Sequence, residues 1–419
     1  MPSDTDYICK HINLNNHIAQ YIKDIVSKLR HHGRETYIVG GAVRDLLINR
    51  IPKDYDISTA ATPGEIREIF GKRRTKIIGK RFKIVHIFKS RSVVEVSTFR
   101  KDPSTPLKHP TSNIQHLTSA RAFTKESGHH NIITDDNEYG SSYEDAWRRD
   151  FTVNAIFYDT ASHEVIDYTS MGLDDLHKKI VRTIGDPYKR FSEDPVRILR
   201  ALKLVGQYEF SLESETEKAL ISLQEKIILS SVSRLSLELE KILKKPFSYK
   251  ILKTFFDYGF LSYYIPPLHR HFGKDEGQIA MKLLNIECNK LRRKNSYEYI
   301  SLPMALLAAP AVSYHYTGMP DNFTYKYEHE DKKNIRKIVR SLFLPLVFPK
   351  FIIHEAADAI FMQSRIFNDE IRNWAKKQKH HRRNMYIACK LALIINEYSF
   401  NDEQIFDFCN EILKDYIRN

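Results

Sequence analysis

Two aspartates, Asp54 and Asp56, stand one residue apart in the segment GGAVRDLLINRIPKDYD, residues 40–56. Side chains at i and i+2 of a strand share a face, so a strand over residues 53–58 would point both carboxylates to one side, with their Cα atoms about 6.5–7 Å apart. Carboxylates that close repel each other unless a cation lies between them. Because hard oxygen ligands beside phosphates suit Mg²⁺, the pair predicts a magnesium site for phosphate chemistry.

A glycine pair, Gly40 and Gly41, comes shortly before the two aspartates. Glycine has no Cβ, so backbone N–H groups there can approach a phosphate closely. The AVRDLLI segment that follows is predicted to be helical, and a helix N-terminus favours an anion. Each motif alone is common in solvated turns. The order of strand (36–39), Gly-Gly, helix and DYD strand is far more restrictive, and it predicts a nucleotidyltransferase site.

A second charged cluster, RRDFT at residues 148–152, leads into an apolar strand. We expect the Asp150 side chain to lie in the same cavity as those of Asp54 and Asp56. Arg149 and its neighbour would hold phosphate, because the guanidinium fork makes bidentate contacts to phosphate oxygens. The alternative interpretation is a solvated helix end with a salt bridge.

The segment EDPVRILR predicts a helix with Asp194 as its N-cap and Pro195 at the first helical position. Arg197, Arg200 and Lys203 follow at i, i+3 and i+6 spacing on one face. A charged stripe is often only a solvated face. This one is purely cationic and starts with an acid, so it suits a nucleotide: Asp194 and Arg197 would read the base, and Arg200 would neutralise phosphates.

The overall charge indicates a polyanionic partner. The chain has 419 residues and a formal net charge of +13, which favours RNA or DNA binding. Basic clusters at 72–83, 291–294, 332–340 and 376–383 are each typical of a solvated surface, and together they predict a track for the RNA backbone. The residues we expect to contact RNA come from the first and last of these clusters: Lys80, Arg81, Lys376, Lys377, Arg382 and Arg383.

Composition also excludes several classes of protein. No apolar stretch is long enough to span a bilayer, and the N-terminus lacks the basic and apolar pattern of a signal peptide. The four cysteines are scattered without a C-x-x-C pair, which argues against a zinc site and a disulfide framework. We therefore expect a cytoplasmic protein with no membrane span.

The pattern of predicted elements changes along the chain. Short apolar and β-branched runs predict strands at 36–39, 76–78, 84–88, 93–99, 154–158 and 165–168, with helices at 16–31 and from Thr62–Pro63. Residues 102–139 are polar and aperiodic, which predicts an insertion. Everything after about residue 185 is predicted to be helical. We expect a catalytic domain at 1–185, a helical neck at 186–250 that binds nucleotide and RNA, and a helical RNA-binding body at 251–419.

Six segments in this order resemble a known family. They are VGGAVRDLL (39–47), KDYDIST (53–59), EVSTFR (95–100), RRDFTVNAIFYD (148–159), DYTSMGLDDLHKKIVRTIGDP (167–187) and SEDPVRILRALK (192–203). The chain resembles the class II nucleotidyltransferases of the bacterial poly(A) polymerase and CCA-adding superfamily. The resemblance implies an α+β head of the polymerase-beta-like nucleotidyltransferase fold, followed by an all-α C-terminal region.

The resemblance also implies roles for individual residues. Asp54 and Asp56 would be catalytic carboxylates that bind Mg²⁺, with Mn²⁺ as an alternative, and Asp150 would be the third acid of the site. At the position matching Asp150, CCA-adding relatives are understood to use a nucleotide contact, so both roles stay open. The residues expected to hold the nucleotide are Gly40, Gly41, Arg44, Arg149, Asp194, Arg197 and Arg200. Lys203 departs from relatives that often carry a third arginine, and it lacks the guanidinium fork.

Within the superfamily, the segment 77–87 and the long polar insertion are more similar to the poly(A) polymerase branch. The expected reaction is two-metal, template-independent transfer of AMP from ATP to RNA 3′ ends, with release of pyrophosphate. The alternative enzyme is a CCA-adding tRNA nucleotidyltransferase. An alternative of another class is a non-catalytic RNA-binding protein, which has no need for paired carboxylates. The sequence does not identify protein partners, such as RNA-decay or RNA-chaperone proteins.

Overall fold

The computed structural model describes residues 7–79, 83–89, 92–101, 139–291, 299–367 and 382–418. The chain divides into two compact units. The first, which we call the α/β unit, comprises Met1–Arg197 and Phe210–Leu220. The second, the helical unit, comprises Ile198–Glu209 and Ile221–Asn419.

A mixed sheet forms the centre of the α/β unit. Its strands are β1 (Ile8–His11), β2 (Thr36–Val39), β3 (Asp56–Thr59), β4 (Thr75–Ile78), β5 (Ile84–Lys89), β6 (Ser92–Thr98), β7 (Ile156–Asp159) and β8 (Glu164–Asp167). Among the described residues they pair in the order β1-β8-β7-β2-β3-β6-β5-β4. Strands β3 and β6 run parallel, and the other neighbouring pairs are antiparallel. A separate parallel pair joins β9 (Ile180–Val181) to β10 (Ser211–Leu212).

Strands β2 and β7 are buried along their whole length, as expected of central strands with apolar sequences. Among its described residues, this unit has the helices α1 (Gln20–His31), α2 (Gly41–Leu47), α3 (Pro63–Phe70), α4 (Ser142–Trp147), α5 (Gly172–Lys178) and α6 (Pro187–Glu193). Thr62 and Glu65 form the capping box that starts α3, which confirms the predicted helix start.

The described part of the helical unit is made up mainly of helices. After α7 (Val196–Tyr208) and α8 (Ser214–Leu223), which cross the boundary between the units along the chain, its helices are α9 (Val232–Leu243), α10 (Ser248–Asp257), α11 (Leu261–Tyr264), α12 (Pro266–Phe272), α13 (Asp275–Leu291), α14 (Ser301–Thr317), α15 (Asp331–Leu342), α16 (Lys350–Phe367), α17 (Arg382–Ser399) and α18 (Glu403–Arg418). Helix α14 is apolar on all sides through its first three turns and is buried there, while Tyr314 and His315 near its end are exposed. Among the described helices, none has the length and apolar character needed to cross a membrane.

The structure confirms the α+β class of the first half and corrects some element boundaries. The predicted strands at 76–78, 84–88 and 93–99 are confirmed as β4, β5 and β6, and those at 154–158 and 165–168 as the antiparallel pair β7 and β8. The prediction that no strand follows residue 185 is wrong, because Ser211–Leu212 pairs with β9. The DYD strand is shorter than expected and begins at Asp56.

The polar insertion leaves and rejoins the α/β unit at one point. Arg100 and Tyr139 form an isolated antiparallel bridge, and the Gly140 N–H donates to the Phe99 carbonyl over 3.1 Å. Residues 102–138, which make up nearly all of the insertion, lie outside the described residues. Because β6 runs parallel to β3, this junction follows the end of β6 that pairs with Thr59, the last residue of β3.

Candidate active site

The glycine turn, the DYD strand and the RRD segment meet at one edge of the sheet. Gly40 has φ +74°, a left-handed conformation that glycine adopts without strain. A Cβ added at Gly40 would lie 3.3 Å from Nη1 of Arg149 and 3.7 Å from Oδ2 of Asp56. The structure therefore brings these three predicted residues together, and the missing side chain at residue 40 keeps the space between the guanidinium and the carboxylate open.

The two aspartates lie at the N-terminal end of β3, next to the glycine turn. Asp56 begins β3 and pairs in register with Val39, the residue before Gly40. Asp54 lies in the bend before the strand, so the expectation that a strand geometry aligns both carboxylates is wrong. Both side chains are exposed. The pair is thus accessible to a ligand from solvent, although only Asp56 is fixed by the sheet.

A third carboxylate, which the sequence analysis gave no role, lies beside Asp56. Glu95 of β6 is the parallel register partner of Asp56, so the two side chains point to the same face of the sheet. Glu95 is 52% exposed, and its Oε1 lies 3.3 Å from Nε2 of His86. The sequence offered one signal: Glu95 belongs to a predicted strand and to one of the six family-like segments. Its pairing with Asp56 depends on a long-range strand register.

The donor set at this edge fits a hard divalent cation. Carboxylate oxygens are the ligands that Mg²⁺ combines with substrate phosphates and water, and Asp54 and Asp56 are both exposed here. Among the described residues, no three His, Cys, Asp or Glu side chains are grouped so as to hold a metal ion. A metal bound by Asp54 and Asp56 would therefore complete its coordination with substrate oxygens and water.

Arg149 is held in place by side chains from three elements. Its Nη2 donates to Oδ2 of Asp145 over 2.8 Å and to Oγ of Ser58 over 3.0 Å. Its guanidinium carbon lies 5.2 Å from the centre of the Phe157 ring. The side chain is only 20% exposed. With one edge of the guanidinium fixed by these contacts, Nη1 faces the opening at Gly40.

Arg44 and Asp150 belong to one buried hydrogen-bond network. Arg44 donates from Nη1 to Oδ1 of Asn154 over 2.6 Å, and from Nη2 to Oδ1 of Asp45 over 2.8 Å. The Asn154 amide donates to Oδ1 of Asp150 over 3.1 Å, and the Phe151 N–H donates to the same oxygen over 2.9 Å. This network joins the helix after the glycine turn to the RRD segment. Whether Asp150 contacts metal or nucleotide stays a prediction.

Asp194 and Arg197 lie together at the start of α7. Oδ1 of Asp194 accepts from the Val196 N–H over 3.2 Å, which agrees with the predicted N-cap, although α7 itself begins at Val196, one residue later than the sequence predicted. Nη1 of Arg197 donates to the Arg190 carbonyl over 2.9 Å and lies 3.5 Å from Oε2 of Glu193. The sequence analysis assigned no role to Arg190 or Glu193.

The rest of the predicted cationic face belongs to the helical unit. Arg200 is exposed there. Lys203 is 25% exposed, and its Nζ lies 3.8 Å from Oε2 of Glu238. Burial lowers the pKa of the Lys203 amine, although Glu238 opposes the shift. Lys203 is therefore directed to an acid inside the unit, which separates it from the solvated stripe that the spacing suggested.

The predicted RNA contacts are only partly covered by the structure. Lys80, Arg81, Lys376 and Lys377 lie outside the described residues, as does the side chain of Arg382. Arg383 is described: its Nε lies 2.8 Å from Oε1 of Glu355, and its guanidinium carbon is 4.2 Å from the centre of the Tyr299 ring. The Arg383 charge is thus already balanced by a carboxylate, and its role in RNA binding stays a prediction.

Family models match the chain in two places. The model described as "Poly A polymerase head domain" matches residues 36–182, and the one described as "Probable RNA and SrmB- binding site of polymerase A" matches residues 209–272. The first range contains Gly40, Asp54, Asp56 and Arg149.

Curated relatives carry two different names. The chain is 33% identical over 261 residues to poly(A) polymerase I of Haemophilus influenzae, covering 62% of this chain and 54% of the relative. It is 38% identical over 244 residues to the CCA-adding enzyme of Geobacillus sp. strain WCH70, covering 58% of this chain and 54% of that relative. The chain spans about half the length of the curated relatives it matches.

Solved structures share the fold. A crystal structure of the Bacillus stearothermophilus CCA-adding enzyme in complex with CTP has a TM-score of 0.51 at 23% identity, covering 96% of this chain and 98% of that one. The Thermotoga maritima CCA-adding enzyme complexed with tRNA has a TM-score of 0.54 at 18% identity, covering 97% and 86%. The motifs, the matched head domain and the fold agree, and the chain belongs to the class II nucleotidyltransferase superfamily of poly(A) polymerases and CCA-adding enzymes.

Proposed function

We propose that this chain adds AMP from ATP to the 3′ end of RNA without a template, as a poly(A) polymerase. The observation that carries the proposal is the opening bounded by Gly40, Arg149 and Asp56, where a bound triphosphate would lie between the Arg149 guanidinium and the Asp56 carboxylate. The proposal is also supported by the curated relatives named poly(A) polymerase I.

In this mechanism the glycine turn and Arg149 bind the triphosphate. Asp54 and Asp56 would hold Mg²⁺, which when bound lowers the pKa of the RNA 3′-hydroxyl and neutralises the pyrophosphate leaving group. The 3′-hydroxyl gives up its proton to solvent, the bond between its oxygen and the α-phosphorus forms, and the bond from that phosphorus to pyrophosphate breaks. The protein's contribution to this transfer is position and fixed charge. Arg149 suits the task, because Asp145 and Ser58 fix its fork before substrate binds.

Base choice must come from protein side chains, since no template is present. Asp194 offers an acceptor and Arg197 offers donors to the adenine edge. The contact of Arg197 with Glu193 and with the Arg190 carbonyl holds its guanidinium at the start of α7. The Glu193 carboxylate contacts only part of the Arg197 guanidinium, so other N–H groups of that side chain can donate to a base.

The helical unit offers a surface that suits the RNA backbone. Lys333, Lys337 and Arg340 are exposed at i, i+4 and i+7 positions of α15, and we call them the α15 stripe. At 1.5 Å per residue the stripe is about 10 Å long. Within the described part of the chain, none of the three forms an ion pair. We propose that the stripe binds RNA phosphates and that the neck and body predicted at 186–250 and 251–419 both contribute to RNA binding.

A second candidate is CCA addition to tRNA, which is favoured by the 38% identity to a relative named CCA-adding enzyme. The two reactions use the same transfer chemistry. They differ in the nucleotides accepted and in when addition stops.

Extension of two labelled RNAs distinguishes the candidates. One RNA is a short oligo(A), and the other is a tRNA that lacks its 3′ CCA; each is incubated with Mg²⁺ and single nucleotides, and the Asp54→Ala/Asp56→Ala protein is the control. We expect long ladders on oligo(A) with ATP alone. Three-nucleotide extension of the tRNA that needs CTP and then ATP would replace the proposal with CCA addition. Absence of extension on both RNAs would contradict nucleotidyl transfer.

A further inference from the structure

A buried arginine of α6, Arg190, connects two segments that the proposed function uses separately. Asp186 caps this helix by accepting from the Tyr188 N–H over 2.9 Å, and Pro187 occupies its first turn. Arg190 itself is 6% exposed. A buried guanidinium is costly unless its donors are matched by acceptors. The acceptors of Arg190 therefore show what the residue is placed to hold.

One set of acceptors lies in the RRD segment. Nη2 of Arg190 donates to the Arg149 carbonyl over 2.6 Å and also to the Arg148 carbonyl. These contacts fix the backbone of Arg149, while Asp145 and Ser58 fix its side chain. The position of Nη1 at the Gly40 opening thus depends on both sets of contacts.

A carboxylate at the end of α6, that of Glu193, also lies close to Arg190. Nη1 of Arg190 lies 3.7 Å from Oε2 of Glu193, and the same oxygen lies 3.5 Å from Nη1 of Arg197. The Glu193 side chain is 10% exposed, so solvent screens these pairs weakly. The Arg190 carbonyl also accepts from Arg197 over 2.9 Å. One carboxylate and one backbone carbonyl therefore hold Arg197 against Arg190.

We infer that Arg190 and Glu193 are positioning residues that link the triphosphate end of the nucleotide site to its base-reading end. Arg190 fixes the position of the Arg149 backbone beside the glycine turn. Through Glu193 it also fixes the orientation of the Arg197 guanidinium. Neither residue needs to touch the substrate. The inference rests on the proposed function, because it assigns the nucleotide to these two ends.

A merely structural role for Arg190 would make a different prediction. If Arg190 only stabilised the fold, its loss would lower the activity with every nucleotide in the same proportion and leave base preference unchanged. A residue that links the two ends changes triphosphate affinity and base preference, and its two contacts can be separated by substitution.

The experiment uses the full chain and reads the two ends independently. Inorganic tripolyphosphate carries no base, so its binding constant from calorimetry reports the phosphate end alone. The ratio of kcat/KM for ATP to that for CTP, measured on oligo(A), reports base reading. The variants are Arg190→Ala, Arg190→Lys and Glu193→Gln.

We expect Arg190→Ala to weaken tripolyphosphate binding about 10- to 100-fold and to lower the ATP-over-CTP ratio about tenfold, since small displacements of positioned groups have effects of this size. Glu193→Gln should lower the ratio by a similar factor but change tripolyphosphate binding by less than about twofold. Arg190→Lys keeps a charge beside Glu193 but cannot reach both carbonyls, so its main loss should be in tripolyphosphate binding.

A matched control removes a cation elsewhere in the α/β unit. Lys178 pairs with Asp174 on the exposed face of α5, at 2.7 Å. Lys178→Ala should leave both readouts at wild-type values. Circular dichroism melting of each variant verifies folding, and if Arg190→Ala does not fold, the opposite patterns of Arg190→Lys and Glu193→Gln decide.

The inference is overturned if the folded variants keep both readouts, or if they lower activity with ATP and CTP equally at unchanged tripolyphosphate affinity. Failure of the proposed function is a separate result: a wild-type protein that extends no RNA contradicts it. In that case calorimetry of ATP, CTP and tripolyphosphate still decides whether Arg190 and Glu193 link two ends of a binding site.

Discussion

Two sets of cationic side chains, one in each unit, differ in how they are held. In the α/β unit, the cationic side chains of Arg149, Arg190 and Arg197 are largely buried, and each is held by a carboxylate or by backbone carbonyls. On α15 of the helical unit, the stripe of Lys333, Lys337 and Arg340 is exposed and makes no ion pair among the described residues.

This difference separates two kinds of recognition. A fixed, desolvated guanidinium has one direction, so it can orient a small ligand and distinguish its chemical groups. An exposed lysine or arginine keeps its rotamer freedom and hydration, so it attracts any phosphate at the right distance. We therefore assign nucleotide geometry to the α/β unit and sequence-independent RNA affinity to the α15 stripe.

The largest effect should come from removing the charge of Asp56, the carboxylate that lies across the Gly40 opening from Arg149. Asp56→Asn keeps the size of the side chain but removes its charge, and it should lower kcat about 10²- to 10³-fold or more, as is typical when a group that stabilises developing charge is removed. Single-turnover extension of oligo(A) measures it. RNA affinity, measured by filter binding, should remain unchanged; equal losses of affinity and rate would contradict the division between the units.

Arg149→Lys tests whether fixed geometry matters in addition to charge. Lysine keeps the positive charge but cannot donate to Asp145 and Ser58 while also facing Gly40, so kcat/KM for ATP should fall about 100-fold. Steady-state kinetics with varied ATP measures the change. Lys178→Arg serves as the control in the same unit. Wild-type kinetics in the Arg149→Lys variant would mean that charge alone is sufficient.

Arg197→Ala addresses base choice. Loss of one charge-assisted hydrogen bond to the base should cost about 1.4 kcal/mol, a tenfold decrease in the preference for ATP over CTP. Competition between the two nucleotides on oligo(A) gives the ratio directly. The overall rate with ATP should decrease less than the ratio does. An unchanged ratio would remove Arg197 from base reading.

The smallest effect should come from the α15 stripe. Changing Lys333, Lys337 and Arg340 to glutamine should reduce the slope of log affinity against log salt by about 2, since each contact to a single strand contributes about 0.7. Filter binding of oligo(A) at several salt concentrations measures the slope. The base preference should stay as in the wild type. An unchanged slope would place the RNA backbone elsewhere.

The local parts of the site could be predicted from sequence. Gly-Gly before a helix and the cap at Thr62 involve residues within a few positions of each other, so spacing is sufficient to identify them. The strand pair formed by β7 and β8 was also recognisable, because the two strands are joined by a short turn. The three-part division into catalytic domain, neck and body remains a proposal.

The long-range parts could not be predicted. Glu95 reaches Asp56 only because β3 and β6 pair in parallel, and the register of such a pair is not encoded near either residue. Arg190 holds carbonyls more than 40 residues away in sequence, and backbone acceptors have no sequence signature. The start of β3 at Asp56 was missed because a two-residue spacing of aspartates also occurs in bends.

The bridge between Arg100 and Tyr139 has a consequence for how this superfamily can diverge. The ends of the insertion meet at a closed junction, about 16 Å along β6 from Glu95 at 3.3 Å per residue. A change in the number of residues between them alters the entropy of loop closure only logarithmically, by about 0.6 kcal/mol for each doubling. Segments of very different length are therefore compatible with one unaltered carboxylate edge, and evolution can lengthen or shorten the chain at this junction without redesigning the chemistry.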